Sequence, residues 1–191
     1  MFSLYLRPGF SLMVCITLLT GIAYPMLVTT MSALLFHREA EGSLLYEGNV
    51  LVGSRLIGQN FTSAKYFWGR PSATAPQPYN AVNSGGSNLG PLNPALIDKV
   101  KAGAKVLRDA DPSNGAAIPV ELVTGSASGV DPDISPAAAE YQAARVARAR
   151  NLPPARVRAL IGEHRHEPAL GVIGEPVINV LELNMALDRL H

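Results

Sequence analysis

Few side chains in this sequence could make or break a bond, and their spacing argues against most such chemistry. The single cysteine, Cys15, lies in an uncharged apolar run, so no internal disulfide forms and no thiol nucleophile or cysteine-type zinc site stands outside that run. His164 and His166, flanked by Glu163 and Glu167, are two positions apart. On a helix they would point apart, and no third ligand accompanies them, so they read as the polar end of a helix. Asp131 and Asp133 lack the further oxygen donors that a cation cage needs and are expected to fix turns. Gly125-Ser126-Ala127-Ser128-Gly129 has the outline of a nucleophile elbow, but Ala127 at its centre carries no nucleophile. Neither a Gly-x-x-x-x-Gly-Lys-Ser/Thr phosphate loop nor a Gly-x-Gly-x-x-Gly dinucleotide turn is present.

Three groups remain that could bind rather than react. From Arg145 to Arg165 the only acid is Glu163, while Arg148, Arg150, Arg156 and Arg158 add positive charge. That run is either a solvated basic face or a site for phosphate or for acidic groups on a partner. Tyr66-Phe67-Trp68, close to Arg70, is either a local core patch under a loop or an anchor for another subunit. Two Gly/Ser loops, around Ser84-Gly85-Gly86 and Gly125–Gly129, each run toward a helix start where free N–H groups favour an anion; ordinary capping accounts for them equally well.

The elements that must position these groups follow from pattern. Leu44–Tyr46 and Val50–Val52 flank Glu47-Gly48-Asn49 and predict a β-hairpin. Tyr79 to Pro94, rich in Asn, Ser and Gly, predicts an ordered polar loop. It ends on Asn93 as an N-cap with Pro94 at the first turn, so a helix should run to about Ala110 with Leu96, Ile97, Val100, Ala104 and Leu107 against a core. Ile118 to Thr124 is short and β-branched, which predicts a strand. The loop after it, with Ser126 expected to be exposed, closes on Ser135-Pro136, and a helix to Arg150 should follow. Asn151 punctuates, Pro153-Pro154 starts another helix with Val157, Leu160 and Ile161 inward, and the chain should close with a strand over Pro176–Val180 and a short helix over Leu181–Leu190.

All of this hangs from one stretch. Between Arg7 and the His37-Arg38-Glu39 cluster there is no Asp, Glu, Lys or Arg. A hydrocarbon core of about 30 Å needs only ~20 helical residues, and Ser11 to Met31 supplies that, with Pro25 expected to kink the helix. The run is too long for a signal peptide, and it ends on large residues. Gly21, Ala23, Thr17, Thr20 and Thr29 suit packing against other membrane helices. Arg7 ahead of the span and mixed charges behind it favour a cytoplasmic N-terminus and a soluble part outside the cytoplasm. The expected organisation is an α+β protein: a short tail over residues 1–10, a single N-terminal transmembrane helix over 11–36, and one mixed α/β soluble domain over 37–191. The net charge of +1 points away from nucleic acid as a partner.

Leu56-Ile57-Gly58-Gln59-Asn60-Phe61, Tyr66 to Ala73, Tyr79-Asn80, Ser84 to Leu89, Val123 to Asp131, Arg145 to Leu152 and Asn179 to Asn184, in that order behind one apolar span, resemble the C subunit of the Kdp potassium-transporting P-type ATPase. The likeness covers nearly the whole chain. It implies a non-catalytic accessory subunit of a bacterial inner-membrane complex that imports K⁺ at the expense of ATP. Its partners would be the lipid bilayer, a channel-like K⁺-selecting subunit and a P-type ATPase subunit; the Asp-Lys-Thr-Gly-Thr phosphorylation sequence of the latter is missing here. The resemblance also implies a catalytic-chaperone role that raises the ATP affinity of the ATPase subunit, with Gln142 in a degenerate signature and Arg145 and Arg148 beside it as nucleotide-binding candidates. No cofactor of the chain's own is expected, ATP being reached through the complex. A domain outside the cytoplasm could not touch cytosolic ATP and would instead cap the ion-selecting subunit, with Trp68, Arg70, Tyr79, Asn80, Ser84, Gly85 and Gly86 as candidate contacts. The alternative from another class is a stand-alone membrane-anchored periplasmic module binding a small anion in the Gly/Ser loops.

Overall fold

The computed structural model describes residues 2–168 and 170–190, the side chains of residues 2–4 excepted. The chain divides into two units, residues 1–44 and 45–191.

The first unit is helical from its start. Helix α1 (Phe2–Leu18) runs through the stretch expected as a tail, a five-residue π-helical turn follows (Leu19–Ala23), and α2 (Tyr24–Leu35) completes the apolar helical stretch. Tyr5–Leu35 is long and apolar enough to cross a membrane, with a mean hydropathy of 2.0. The π turn falls directly ahead of Pro25. Proline has no N–H and its ring crowds the carbonyl four residues back, and a wider turn there re-spaces the carbonyls, with the Tyr24 N–H donating to Leu19 O. A single turn, α3 (His37–Ala40), follows.

The second unit opens on the predicted hairpin. Strands β1 (Leu44–Glu47) and β2 (Val50–Ser54) pair across a tight turn in which Gly48 takes a φ of 59°. Helix α4 (Pro94–Ala110) begins where Asn93 accepts from the Ala95 N–H with its side chain. Its apolar face is not laid on the core as the periodicity suggests: Leu107 alone is buried, Leu96 and Val100 are half-buried, and Ile97 is exposed. The strand expected over Ile118–Thr124 is absent. Val120–Leu122 forms a 3-10 turn instead. Pro119 offers no N–H for a ladder, the Leu122 N–H donates back to Pro119 O, and the Glu121 carboxylate is committed to the Ser135 N–H at 2.9 Å.

The remaining elements build the core. Strand β3 (Asp133–Ile134) leads into α5 (Pro136–Arg150), α6 (Pro154–Glu163), β4 (Arg165–His166), β5 (Val177–Asn179) and α7 (Val180–Asp188). The strands form one antiparallel sheet in the order β3-β5-β4, with Ile134 opposite Ile178 and His166 opposite Val177. Ser135 caps α5 by accepting from Ala138, and Asn151 ends it in the left-handed conformation while the Leu152 N–H reaches back to Ala147 O. Alanines at 138, 139, 143 and 147 let α6 and the sheet approach α5 closely, so Ile134, Val146, Val157, Ile178, Leu183 and Leu187 close into one core with Phe67.

Candidate functional site

The sequence candidates fall into two places, both internal to the second unit. The first is a clamp of helix side chains on Ser63–Arg70, a turn over Ser63–Tyr66 followed by an irregular stretch. Gln142 of α5 is 1% exposed. Its Oε1 accepts from the Trp68 N–H at 2.8 Å while its Nε2 donates to Trp68 O at 3.0 Å and to Ala138 O. Asn184 of α7 repeats the device one residue earlier, accepting from the Phe67 N–H and donating to Phe67 O. Two side-chain amides thus do for this segment what a neighbouring strand would do, and Phe67 is driven fully into the core between them.

Arg145, one turn beyond Gln142, completes the clamp. Its guanidinium donates to Ala64 O at 2.6 Å, Tyr66 O at 3.0 Å and Gln142 Oε1 at 2.7 Å, and lies 4.0 Å from the Trp68 ring centroid. Burial pushes its pKa down to about 10, against the pull of the Asp111 carboxylate, so it stays charged at neutral pH. Arg150 holds the outer end, donating to Lys65 O, Leu187 O and Asp188, while the Tyr66 hydroxyl donates to the same carboxyl group of Asp188.

The basic run divides: Arg145 and Arg150 are drawn into the clamp, Arg156 is exposed, and the others lie at the surface in ion pairs. Arg148 pairs with Asp111, Arg158 with Glu140 and Arg165 with Glu167. Gln142 and Arg145 meet Trp68, so the nucleotide candidates and the first contact candidate form one constellation. Arg148 points to Asp111 instead.

The second place is where the two Gly/Ser loops dock on each other. The Gly85 N–H and the Ser84 hydroxyl both donate to Ser128 O. A Cβ on Gly86 would stand 3.0 Å from Ala127 O, and one on Gly129, whose φ is +67°, 2.6 Å from Gly85 O. Ser126 is buried, contrary to expectation, and takes the Gly129 N–H on its hydroxyl. The N–H groups of Gly85, Gly129 and Val130 are spent on protein oxygens, so none of these three is offered to an anion.

Arg70 and Tyr79 tie this pair to the rest. Arg70 donates to Asp131 Oδ2 at 3.0 Å and to Gly125 O, and the Tyr79 hydroxyl donates to Arg70 O. Burial pushes the Tyr79 pKa up to about 12, helped by the Asp131 carboxylate. Asn80 donates to Ala75 O and accepts from the Val82 N–H, holding the turn that follows. Asp131 also accepts from the Asp133 N–H, the turn-fixing role expected of it. The carboxyl of Asp133 is raised by burial, its Asn179 hydrogen bond opposing.

His164 and His166 do not meet. His164 Nδ1 faces Leu160 O at the end of α6, while His166 in β4 contacts Arg55 and Glu182. Among the described residues no group of three or more His, Cys, Asp or Glu side chains is placed to hold a metal.

Sequence reasoning missed Asn184, Asn179 and Asp111. Asn179 caps α7 through the Glu182 N–H and also donates to Arg55 O and Asp133 Oδ1. An Asn three residues ahead of a Glu, before an apolar run, is a legible cap signal. Asn184 and Asp111 carry no such local mark, because their partners lie 117 and 37 residues away.

The family model described as K⁺-transporting ATPase, c chain, matches residues 6–189. Proteins named potassium-transporting ATPase KdpC subunit are similar along the full length. The one from Variovorax paradoxus is 62% identical over 96% of this chain and 95% of its own. That from Polaromonas naphthalenivorans is 60% identical over 97% and 94%, and that from Serratia proteamaculans 55% over 97% and 98%. A match over almost every residue of the apolar span, the clamp and the docked loops is more than a shared fold, and the chain belongs to the KdpC family.

Proposed function

We propose that this chain is the accessory, non-catalytic subunit of an ATP-driven K⁺ import complex of the bacterial inner membrane, working by packing on its partners rather than by holding nucleotide. Its single span lies beside the membrane helices of a channel-like K⁺-selecting subunit and a P-type ATPase subunit, and its soluble domain lies outside the cytoplasm. The observation that carries this reading is the clamp. Every hydrogen-bonding atom of the Gln142 amide, and both terminal nitrogens of the Arg145 guanidinium, bond inside the chain. A nucleotide phosphate would have to displace those bonds and leave Trp68 backbone groups unpaired, at about 1–3 kcal/mol each. Any rise in ATP affinity of the ATPase subunit is then indirect, through the conformation this chain favours in its partner.

Trp68, Arg70, Tyr79, Asn80, Gly85 and Gly86 serve as the frame of the contact surface. The groups they present outward are exposed Ser84, Val82 and Leu92. The test is ATPase activity of the reconstituted complex with and without this chain. Omission should raise the KM for ATP of the remaining subunits, while a photoreactive ATP analogue should label the ATPase subunit and leave this chain unlabelled. Labelling of this chain at Gln142 or Arg145, or an unchanged KM, would overturn the reading.

A further inference from the structure

A cleft of about 540 Å³ opens between α5, Arg158 in the middle of α6 and the loop after α4, on the side of α5 away from the Trp68 clamp's amides. Its walls are made small by Ala137 and Ala144, two turns apart on α5, and by the Gly115–Ala117 stretch facing them. The volume falls within the range of small-molecule sites, about 300–1,000 Å³.

Three buried side-chain atoms of the described residues have no hydrogen-bond partner, and two of them belong to residues lining this cleft: Asp111 Oδ2 and the Tyr141 hydroxyl. Asp111 is 3% exposed and Tyr141 8%. An unpaired buried polar atom is destabilising, so two at one cleft mark a place where partners are missing. The third, Arg70 Nε, lies elsewhere and lines no part of it.

The chemistry of the missing partner follows from charge and donor balance. The Asp111 carboxylate is already neutralised through Oδ1 by Arg148, with Ser113 donating to the same oxygen. The other charged pair at the cleft, Glu140 with Arg158, also cancels. A net charge on the ligand would be left uncompensated. What is unfilled is an acceptor, Asp111 Oδ2, and a hydroxyl that can donate and accept, both on residues of a cleft whose lining also includes four alanines of the facing stretches and Pro119.

We propose that this cleft binds a small neutral polyhydroxylated compound of sugar size, one hydroxyl donating to Asp111 Oδ2 and a neighbouring one exchanging a hydrogen bond with Tyr141. Both orphaned atoms are closed off from solvent in the empty cleft. Entry therefore comes with rotation of the half-exposed Arg158 side chain, which lines the cleft, while Arg148 keeps its pair with Asp111 and the Gln142 amide keeps its bonds.

The test is saturation-transfer NMR with D-glucose on the full chain in lipid nanodiscs prepared free of glycoside detergent, with inorganic phosphate and ethylammonium as competitors. Glucose should show transfer that neither ion competes away. Tyr141→Phe removes a hydroxyl that has no partner in the empty protein, so the variant should fold as well as the parent and bind about fivefold or more weakly. Ala144→Leu should fill the cleft and abolish transfer. Absence of transfer in the parent, equal transfer in Tyr141→Phe, or competition by either ion would each overturn the proposal.

Discussion

At the scale of single residues, Gln142 illustrates how a candidate ligand-binding side chain can be a structural one. It replaces a missing strand for Trp68 and supplies an acceptor to a buried guanidinium. Gln142→Ala should leave two Trp68 backbone groups and Arg145 short of partners, and lower stability by roughly 3 kcal/mol. Denaturant unfolding followed by fluorescence checks this directly, because Trp68 is the chain's one tryptophan. Tyr79 gives a pH prediction. Its phenol is held neutral up to about 12 against an ordinary 10.0. Between those values the unfolded chain gives up this proton and the native chain keeps it, so the native state binds more protons and stability falls as pH rises through that window. Ultraviolet titration should show one tyrosine ionising late, and Tyr79→Phe should remove that tyrosine from the curve and flatten this part of the stability profile. Arg70, Asp131 and Tyr79 could each be picked from the sequence as polar residues near loops; that they form one chain of bonds could not, since Arg70 and Asp131 are 61 positions apart.

Among elements, the docking of the two Gly/Ser loops rests on close backbone approach rather than on side chains. Gly129→Ala should place a methyl group 2.6 Å from Gly85 O in a backbone conformation L-residues avoid, destabilising by about 2–4 kcal/mol. Hydrogen exchange should quicken at Gly85 and across the loop before α4, while the core helices α5 and α7 keep their protection. Capping explains why the helix starts were legible. Asn93 and Ser135 act within three residues of themselves, and both caps are made as read. The 3-10 turn at Val120–Leu122 shows the opposite case: β-branched residues give a strand only where another strand offers an edge, and here Glu121 and Pro119 are committed otherwise. Helix α4 carries a clear apolar stripe but little of it is covered by the chain itself, because periodicity reports which face is apolar and not what will lie against it.

For the whole molecule, the proposed placement of the second unit outside the cytoplasm has the largest consequence, because a domain there cannot meet cytosolic ATP. Val82, 97% exposed on the loop before α4, is the position to label. In a Cys15→Ala, Val82→Cys chain assembled with its partners, a membrane-impermeant thiol reagent should react in intact cells; protection until lysis would place the domain in the cytoplasm and overturn the proposed sidedness. The sequence alone determined the apolar span, the helix boundaries set by Asn93, Ser135, Asn151 and Pro154, and through its ordered motifs the family, because each of these depends on neighbours within a turn or on the order of residues along the chain. Tertiary structure decided what those motifs do. Only folding could bring Trp68 to Gln142, Ser128 to Gly85 and Arg148 to Asp111, across separations of 74, 43 and 37 positions. Only the packed chain could show Gln142 saturated and Asp111 and Tyr141 left with an atom to spare, since whether a buried polar group is satisfied is a property of its surroundings and is written nowhere in its own sequence context.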